Sequence, residues 1–236
     1  MTITNATRKA IDFACKHYHY AKATPSCIAS YNVFNGGGEW CGVIIYSMGA
    51  NNHIGTPYNL KQGEVCELVR VALNGKQECT SQAVAMTLRQ LKKDCPLLRM
   101  VVSYADCDQQ HLGTIYQATN WVYVGEVNHD MVSAFLIHEN GTIRKVHRKS
   151  IHSRIIVENG VKKHCPQTLE YVRRFIDKDA EIYRTKGKRK YLMPLDKKMR
   201  KQIQPLSKPY PKTDEDWHKI DRSKFEHGER TEPKTV

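Results

Sequence analysis

The sequence VVSYADCDQQHLGTIYQATNW, residues 101–121, decides the fold of this chain. Its first residues form a β-branched apolar run, which predicts a buried strand over 99–105. That strand ends in Asp106, and the following segment predicts a short helix over 114–120 that carries Tyr116. Functional side chains are often held where a strand meets a loop, because the strand gives them a rigid support. We therefore expect functional residues at Asp106 and beyond.

The residues on either side of this stretch predict alternating strands and helices. Alternation of apolar and polar side chains, with turn residues between the runs, predicts strands at 28–34, 41–48, 65–73 and 121–127 and a hairpin at 133–146 that turns at 139–141. Helical periodicity predicts helices at 7–16, 166–183 and from Thr80 or Ser81, as the N-cap, to Pro96. This order indicates a mixed sheet flanked by helices.

The positive charge of the chain is concentrated in its C-terminal part. The formal net charge is +13, but residues 1–140 hold 11 basic and 11 acidic side chains, whereas residues 141–236 hold 26 Lys or Arg against 13 Asp or Glu. A neutral body with a basic C-terminal part indicates a polyanionic partner, and nucleic acid is the first candidate. A membrane surface is the alternative, but no long apolar segment spans a bilayer.

The N-terminal residues and the cysteines indicate the cytoplasm. The segment 7–20 has charged residues where a signal peptide needs an apolar run. Eight cysteines would suggest disulfides in a small secreted protein, but in a chain of 236 residues without such a signal they are expected to be reduced thiols. A zinc site built from scattered Cys and His is the less favoured alternative, since there is no CxxC pair.

Four segments resemble the Mom-like phage DNA-modification proteins: HYHY at 17–20, ELVRVALN at 67–74, SQAVAMTLRQLKK at 81–93 and the block at 101–121. The likeness covers about residues 8–200. That family belongs to the wider GNAT acyltransferase-like fold, and its members convert adenine in DNA to an N6-carbamoylmethyl derivative that protects phage genomes from restriction. The resemblance implies a GNAT-like α/β fold, with a mixed, mainly antiparallel sheet flanked by helices and a basic C-terminal extension.

The weaker strand and helix patterns beyond Ser150 predict how the chain is divided, and the resemblance implies which residues are catalytic. Residues 1–150 would form the catalytic domain, and residues 151–236 a partly helical DNA-binding extension with a mobile tail. Asp106, in SYAD, would be the general base or an orienting acceptor at adenine N6, and Tyr116 the general acid that protonates the leaving group. His17 and Tyr18 match a paired His-Tyr that could shuttle a proton or stack on a base.

Simpler roles stay open for each of these residues. Asp106 could cap a turn, and Tyr116 could be a packing residue. His19 and Tyr20 repeat the His-Tyr pattern, so the match could shift by two residues.

The resemblance places the group donor at the turn between a strand and a helix. Arg70, Ser81 and Gly75 would bind an acyl or aminoacyl donor there, either acetyl-CoA or a glycyl donor, at the N–H groups of a helix N-terminus. The usual GNAT glycine pattern is absent, since only Gly75 is present. Arg70 could instead pair with Glu67, and Ser81 could be an N-cap. The family likeness also raises iron, for which the sequence shows no complete ligand set.

The basic run at 186–211 predicts contacts with the phosphates of double-stranded DNA. Few acids interrupt this run, and the expected DNA-binding residues are Lys186, Lys188, Arg189, Lys190, Tyr191, Lys197, Lys198, Arg200 and Lys201. A solvated charged tail is the alternative. Two rival functions also remain open, an N-acyltransferase acting on RNA, protein or a small molecule and a non-catalytic nucleic-acid-binding protein. The oligomeric state, including a homodimer, is open as well.

Overall fold

The computed structural model describes residues 1–49, 51–139 and 141–212. Two compact units share the chain. The first consists of Met1–Ala105, His111–Gly125 and the described residues from Arg189 onward, and the second of Asp106–Gln110 and Glu126–Lys188. Most of the second unit is therefore an insertion in the sequence of the first. The tail predicted to be mobile is residues 212–236, of which only Lys212 is described. Asn140, in the predicted hairpin turn, also lies outside the described residues.

Strands and helices alternate along most of the chain. The strands are β1 Thr2–Asn5, β2 Ala29–Phe34, β3 Trp40–Ser47, β4 Val65–Leu73, β5 Met100–Asp106, β6 Val122–Val127, β7 Val132–Glu139, β8 Thr142–His147, β9 Ile155–Glu158, β10 Val161–His164, β11 Glu181–Arg184 and β12 Lys188–Pro194. The α-helices are α1 Arg8–Tyr18, α2 Thr80–Asp94, α3 Thr114–Gln117, α4 Arg148–His152, α5 Leu169–Phe175 and α6 Lys197–Ile203.

A seven-stranded sheet forms the centre of the first unit, in the order β1-β2-β3-β4-β5-β12-β6. From β1 to β4 each strand is antiparallel to its neighbour, whereas β4 and β5 are parallel and are joined through α2. A crossover helix is the usual connection between parallel strands. The predicted fold class, a mixed and mainly antiparallel sheet flanked by helices, is confirmed.

Buried side chains cover both faces of this sheet. On β3, Ile44 and Tyr46 belong to the core that includes α2 and α3, while Val43 and Ile45 belong to the core under α1. This alternation is the period of two expected for a strand with helices on both sides. We call these surfaces the α2 face and the α1 face.

The second unit has a small core of its own. A three-stranded sheet in the order β11-β7-β8 and the β9–β10 hairpin surround buried apolar residues, among them Phe135, Ile151 and Val172. The predicted hairpin at 133–146 is confirmed as β7 and β8.

The helix predicted at 166–183 is only partly correct. It ends after two turns, as α5, because Asp177 accepts hydrogen bonds from the main-chain N–H groups of His138 and Asp179 in a turn, and the next residues pair with β7 as β11. The N-cap of α2 is Cys79, whereas the sequence predicted Thr80 or Ser81 as the N-cap.

The expected boundary at residue 150 does not coincide with the observed division. From Arg189 the chain returns to the first unit, and β12 lies between β5 and β6 in the central sheet. Tyr191, Leu192 and Met193 are all buried, as expected for a strand covered on both faces. The lysines that precede this apolar run concealed it in the sequence.

Five of the eight cysteines are buried, namely Cys15, Cys41, Cys66, Cys107 and Cys165, and the reduced state expected of the cysteines stays a prediction. In the part of the chain that the structure describes, every helix is too short or too polar to span a bilayer.

Candidate active site

The two parallel strands of the central sheet separate halfway along their length. Their pairing runs from Val65 opposite Met100 to Glu67 opposite Val102. Beyond these pairs, β4 continues to Leu73 and β5 continues to Asp106, but these described parts of the two strands are no longer paired with each other. The main chains therefore part at Leu68 and Ser103, and we call this point the β4–β5 parting.

Ser103 compensates for the main-chain bonds that are lost at the parting. Its hydroxyl lies 2.8 Å from the Leu68 carbonyl oxygen and 2.8 Å from the Tyr116 phenolic oxygen, and Ser103 is buried. A hydroxyl has one proton, so whenever Ser103 donates to the carbonyl, the phenol must donate to Ser103. This short chain of hydrogen bonds fixes the Tyr116 side chain at the parting.

Tyr116 is held as a protonated phenol. Burial raises the pKa of its hydroxyl to about 12, against a smaller opposite effect from the Ser103 hydrogen bond, and the negative charge of Glu67 adds to the rise. At neutral pH the phenol therefore keeps its proton and can give it to an anion that develops beside it. A group in this state can donate a proton but not accept one, and because the ideal pKa of a general acid lies near the working pH, the rise to about 12 does not itself favour catalysis.

Aromatic packing holds α3 and Tyr116 against the sheet. The Tyr116 ring lies 5.0 Å from the ring of Trp121 and 5.0 Å from that of Tyr191. Gly113, before α3, has a φ of 77°, and a Cβ built there would overlap the Tyr191 ring. Both the conformation and the close approach require glycine at this position.

A β-bulge at Val69 turns Arg70 towards α1. Ile45 of β3 pairs with Arg70 and Tyr46 with Leu68, so Val69 has no partner in the register. Arg70 consequently shares the α1 face with Ile45, and its Nη1 atom donates to the Val69 carbonyl oxygen at 2.7 Å. Bulges of this kind commonly redirect a side chain next to an active site.

A second polar cluster lies where α1 ends, and it includes His19. The pKa of the His19 imidazole is lowered to about 4. Burial is the largest cause, and the charges of Arg70, His111 and Lys22 contribute the rest. Its ring stacks on that of Tyr20 at 4.4 Å, and the Tyr20 ring lies 6.0 Å from that of His111. His19 is therefore a neutral imidazole at physiological pH, and its Nδ1 atom accepts a hydrogen bond from the Ala21 N–H at 3.1 Å, which leaves the ring proton on Nε2.

Glu67 is a half-buried carboxylate at the parting. Glu67 pairs with Ser47 of β3. Its Oε2 atom lies next to Gly49, where a Cβ atom, if present, would be 3.1 Å from that oxygen. Its charge raises the pKa of both Tyr116 and Tyr104, although burial is the larger cause in each. Sequence reasoning gave Glu67 no catalytic role, and its only signal was an acidic residue inside an apolar strand.

Asp106 is the last residue of β5 and belongs to the second unit. Its Oδ1 atom accepts a hydrogen bond from the Asp108 N–H at 3.0 Å, so the side chain caps the turn that follows. The simpler role that the sequence left open is therefore present. This bond engages one carboxylate oxygen and is compatible with a catalytic role as well, so the prediction for Asp106 stays a prediction.

His17 and Tyr18 do not join the polar cluster on the α1 face. The His17 ring lies 4.3 Å from that of Phe13, and the Tyr18 ring lies 5.8 Å from that of Trp40. Among the candidate His-Tyr pairs, His19 and Tyr20 are the residues that lie with Arg70 and His111. The catalytic role of His17 and Tyr18, and the alternative match shifted by two residues, stay predictions.

The predicted donor-binding residues are not gathered into one site. Gly75 has a φ of 89° in the β4–α2 turn, and Ser81 lies at the start of α2, 3.1 Å from the Cys79 sulfur. Arg70 is on the α1 face, whereas α2 packs on the other face. The turn and the N–H groups of α2 remain suited to an anionic donor, but Arg70 lies on the opposite face of the sheet from them, and its role in donor binding stays a prediction.

The predicted DNA-binding residues differ in exposure. Tyr191 is wholly buried between Tyr116 and Tyr123 and cannot contact DNA, which corrects that prediction. Arg189 and Arg200 are half-buried and donate to main-chain carbonyl oxygens, and Lys190 covers the Tyr58 ring. The remaining lysines are exposed: Lys186, Lys188, Lys197, Lys198 and Lys201.

The residues that the structure describes offer no complete ligand set for iron. Over residues 1–49, 51–139 and 141–212, the structure has no cluster of three or more His, Cys, Asp or Glu side chains that could hold a metal ion. No step below is therefore assigned to a metal.

Comparison with known proteins supports a family assignment. A family model described as the Mom protein family matches residues 1–212, whereas no curated protein sequence matches the chain. Three solved structures show a partial likeness. A Bacillus subtilis acetyltransferase in complex with CoA is 13% identical, with 71% of this chain and 77% of that chain covered and a TM-score of 0.38.

The other two solved structures are similarly low in sequence identity and TM-score. A Vibrio cholerae spermidine N-acetyltransferase is 9% identical, with 87% and 99% covered and a TM-score of 0.41. A GNAT family acetyltransferase from Elizabethkingia anophelis with acetyl-CoA bound is 12% identical, with 82% and 97% covered and a TM-score of 0.38. Likenesses at this level carry no information on substrate or donor.

Proposed function

Because the chain belongs to the Mom protein family, as the match over residues 1–212 shows, we propose that it is a transferase that modifies adenine N6 in duplex DNA. The product is the N6-carbamoylmethyl derivative, and its role is to protect phage DNA from restriction. The structural observation that best supports transfer chemistry is the buried, protonated Tyr116 at the β4–β5 parting.

The target adenine leaves the base stack before it reacts. Its N6 atom is paired inside the duplex, and the cost of unstacking, about a few kcal/mol, is offset by contacts in the pocket and along the DNA backbone. The N6 lone pair is delocalised into the ring, so N6 is a weak nucleophile. A carboxylate that accepts an N6 proton as the new bond forms overcomes this weakness.

Two carboxylates are candidates for this base. Asp106 matches the family motif and ends β5, while Glu67 lies half-buried at the parting, in electrostatic reach of Tyr116. We assign the base to Asp106 and treat Glu67 as the competitor. Tyr116 is assigned the opposite step, in which its phenol protonates the leaving group of the donor.

The product limits the choice of donor. Acetyl transfer to N6 would leave an amide, whereas the carbamoylmethyl group is attached through a methylene and ends in a carboxamide. A glycyl group that is transferred to N6 and then rearranged balances, because the N6–carbonyl and methylene–amine bonds break while the N6–methylene and carbonyl–amine bonds form. Bond formation at the α-carbon of acetyl-CoA would require an oxidant and a source of the amide nitrogen, so we assign the glycyl route and treat the acetyl route as the competitor. Incorporation of isotope from labelled acetate or from labelled glycine into the modified nucleoside separates the two routes.

The decisive experiment is mass spectrometry of nucleosides from DNA of cells that express the chain. Wild type should yield a heavier deoxyadenosine, and the mass increment identifies the added group. The variants to compare are Asp106→Asn, which can still accept the Asp108 N–H bond but has no charge, Asp106→Ala, which has neither, and Glu67→Gln.

Each outcome assigns a role. Loss of product in Asp106→Asn, with Glu67→Gln active, supports Asp106 as the base, and the reverse pattern moves this role to Glu67. Product in Asp106→Asn but not in Asp106→Ala shows that the carboxylate only caps the turn. Unmodified DNA with the soluble wild-type chain contradicts the proposal and favours an N-acyltransferase with another acceptor or a binding protein.

A further inference from the structure

The second unit contains a two-stranded ribbon to which none of the predicted site residues belongs. β9 and β10 are antiparallel, from Ile155 opposite His164 to Glu158 opposite Val161. The turn consists of Asn159 and Gly160, with φ angles of 51° and 79°, as in a two-residue turn with two left-handed positions. Such turns match the twist of the flanking strands, so the hairpin is a regular ribbon.

One side of the ribbon is committed to the core of the second unit. Ile156 is buried, and its opposite residue Lys163 forms an ion pair with Glu158. Arg174 of α5 donates to the same carboxylate at 2.9 Å, and the Tyr171 hydroxyl lies 3.4 Å from it. The single acidic side chain of the ribbon is therefore turned inward and neutralised by two cations.

The other side, which we call the outer face, is open. Ile155 and Val157 are 57% and 55% exposed, and the residues opposite them are His164 and Lys162, both exposed. The His164 ring stacks on that of His152 at 5.0 Å. The outer face thus combines two exposed apolar side chains with a lysine and two imidazoles, and it bears no carboxylate.

The surrounding sequence has the same charge pattern. Residues 141–169 contain seven Lys or Arg, three His and a single acid, Glu158. Several of these cations are held by carboxylates, but among the observed ion pairs of the described residues neither Lys149 on α4 nor Lys162 takes part. The positive charge of this surface is complementary to a polyanion.

We propose that the outer face of the β9–β10 hairpin inserts into the major groove of duplex DNA, with Lys162 at a phosphate and Val157 against base edges. The major groove admits a two-stranded ribbon, and aliphatic side chains there contact thymine methyl groups. The deep, narrow major groove of A-form RNA excludes such a ribbon. This inference rests on the proposed function, because it names the element by which the second unit would hold the DNA substrate.

The test measures binding of the full-length chain to a fluorescent duplex of mixed sequence by anisotropy, over a series of salt concentrations. Lys162→Ala should weaken binding roughly fivefold to tenfold and lower the log–log salt slope by about 0.9. Val157→Glu places a carboxylate on the outer face and should weaken binding more. Lys9→Ala, which removes an exposed lysine on α1 of the first unit, is the matched control and should leave affinity and slope less affected.

The nucleoside assay runs in parallel and separates the two proposals. If wild type modifies DNA but Lys162→Ala and Val157→Glu bind and modify it as wild type does, the hairpin inference is wrong and the proposed function stands. If wild type neither binds nor modifies duplex DNA, both are wrong. If light scattering shows self-association that Val157→Glu abolishes while DNA binding is unchanged, the outer face binds a second copy of the chain, which also overturns the inference.

Discussion

The two units of the chain hold their polar groups in opposite environments. In the first unit, Tyr116 and Ser103 are buried at the β4–β5 parting, and burial shifts the pKa values of Tyr116 and His19. In the second unit, Lys162 and His164 stand in solvent on the outer face of the hairpin. Proton transfer depends on the pKa that the protein gives a group, whereas contact with a polyanion depends on exposed cationic side chains. The contrast predicts different consequences of substitution in each unit.

The largest effect should come from Tyr116→Phe. This variant keeps the ring in its contacts with Trp121 and Tyr191 but removes the proton donor, so product formation should fall about 10²- to 10⁴-fold. Ser103 can still donate to the Leu68 carbonyl, and the loss in stability should be only about 1 kcal/mol. Nucleoside mass spectrometry and thermal unfolding measure the two quantities. Activity within a few fold of wild type would leave Tyr116 as a packing residue.

A pair of glycines compares the two units directly. Gly113 and Gly160 have nearly the same φ, 77° and 79°, but a Cβ at Gly113 would overlap the Tyr191 ring, whereas a Cβ at Gly160 would have no atom within 4 Å. Gly160→Ala should cost only the left-handed conformation, about 1 kcal/mol. Gly113→Ala adds overpacking and should cost about 3 kcal/mol.

Chemical denaturation provides the measurement for this pair. Amide hydrogen exchange at β5 and β12 follows the first unit, and exchange at β9 and β10 follows the hairpin. Equal costs for the two variants would mean that the Tyr191 ring moves aside freely, and that the packing around α3 is looser than the structure indicates.

Ser103→Ala tests the parting itself. The variant leaves the Leu68 carbonyl oxygen without its side-chain donor in a buried place, and an unsatisfied buried group costs about 1–3 kcal/mol. It also releases the Tyr116 hydroxyl, so activity should fall together with stability. Ser103→Thr retains a hydroxyl and is the control. A stable and active Ser103→Ala would show that water replaces the serine at the parting.

The sequence predicted the frame of the fold better than the placement of the site. The strands near 28–34, 41–48, 65–73 and 121–127 had clear apolar patterns and turn residues, and they are present. Patterns of period two say which face a side chain takes only while the register is regular. The bulge at Val69 shifts that register, so the direction of Arg70 could not be read from the sequence.

Two further features depend on residues that are distant in the chain. Ser103 looked like one polar residue in an apolar strand, and its role requires both Leu68 and Tyr116. The strand at 188–194 looked like part of a basic arm, because its burial comes from β5 and β6 on either side. Short-range patterns report local charge and periodicity, and they do not report which strands become neighbours.

The smallest effect should be a pH dependence of stability from His19. Its pKa lies near 4 in the folded chain, against 6.5 for a solvated histidine. Between these values the unfolded chain binds a proton that the folded chain does not, so stability falls as the pH falls from about 6.5 to about 4. The loss should be on the order of 1–2 kcal/mol, below the full effect of the shift, because the side chain is partly solvated.

His19→Gln removes this titration. The difference in unfolding free energy between wild type and variant should therefore be constant above about pH 7 and should change in favour of the variant as the solution is acidified towards pH 4. Urea denaturation at a series of pH values measures it, and NMR titration of the imidazole gives the pKa itself. A difference that stays constant over the whole range would place His19 in solvent, together with the exposed histidines of the second unit, and would remove the α1-face cluster from the contrast between the two units.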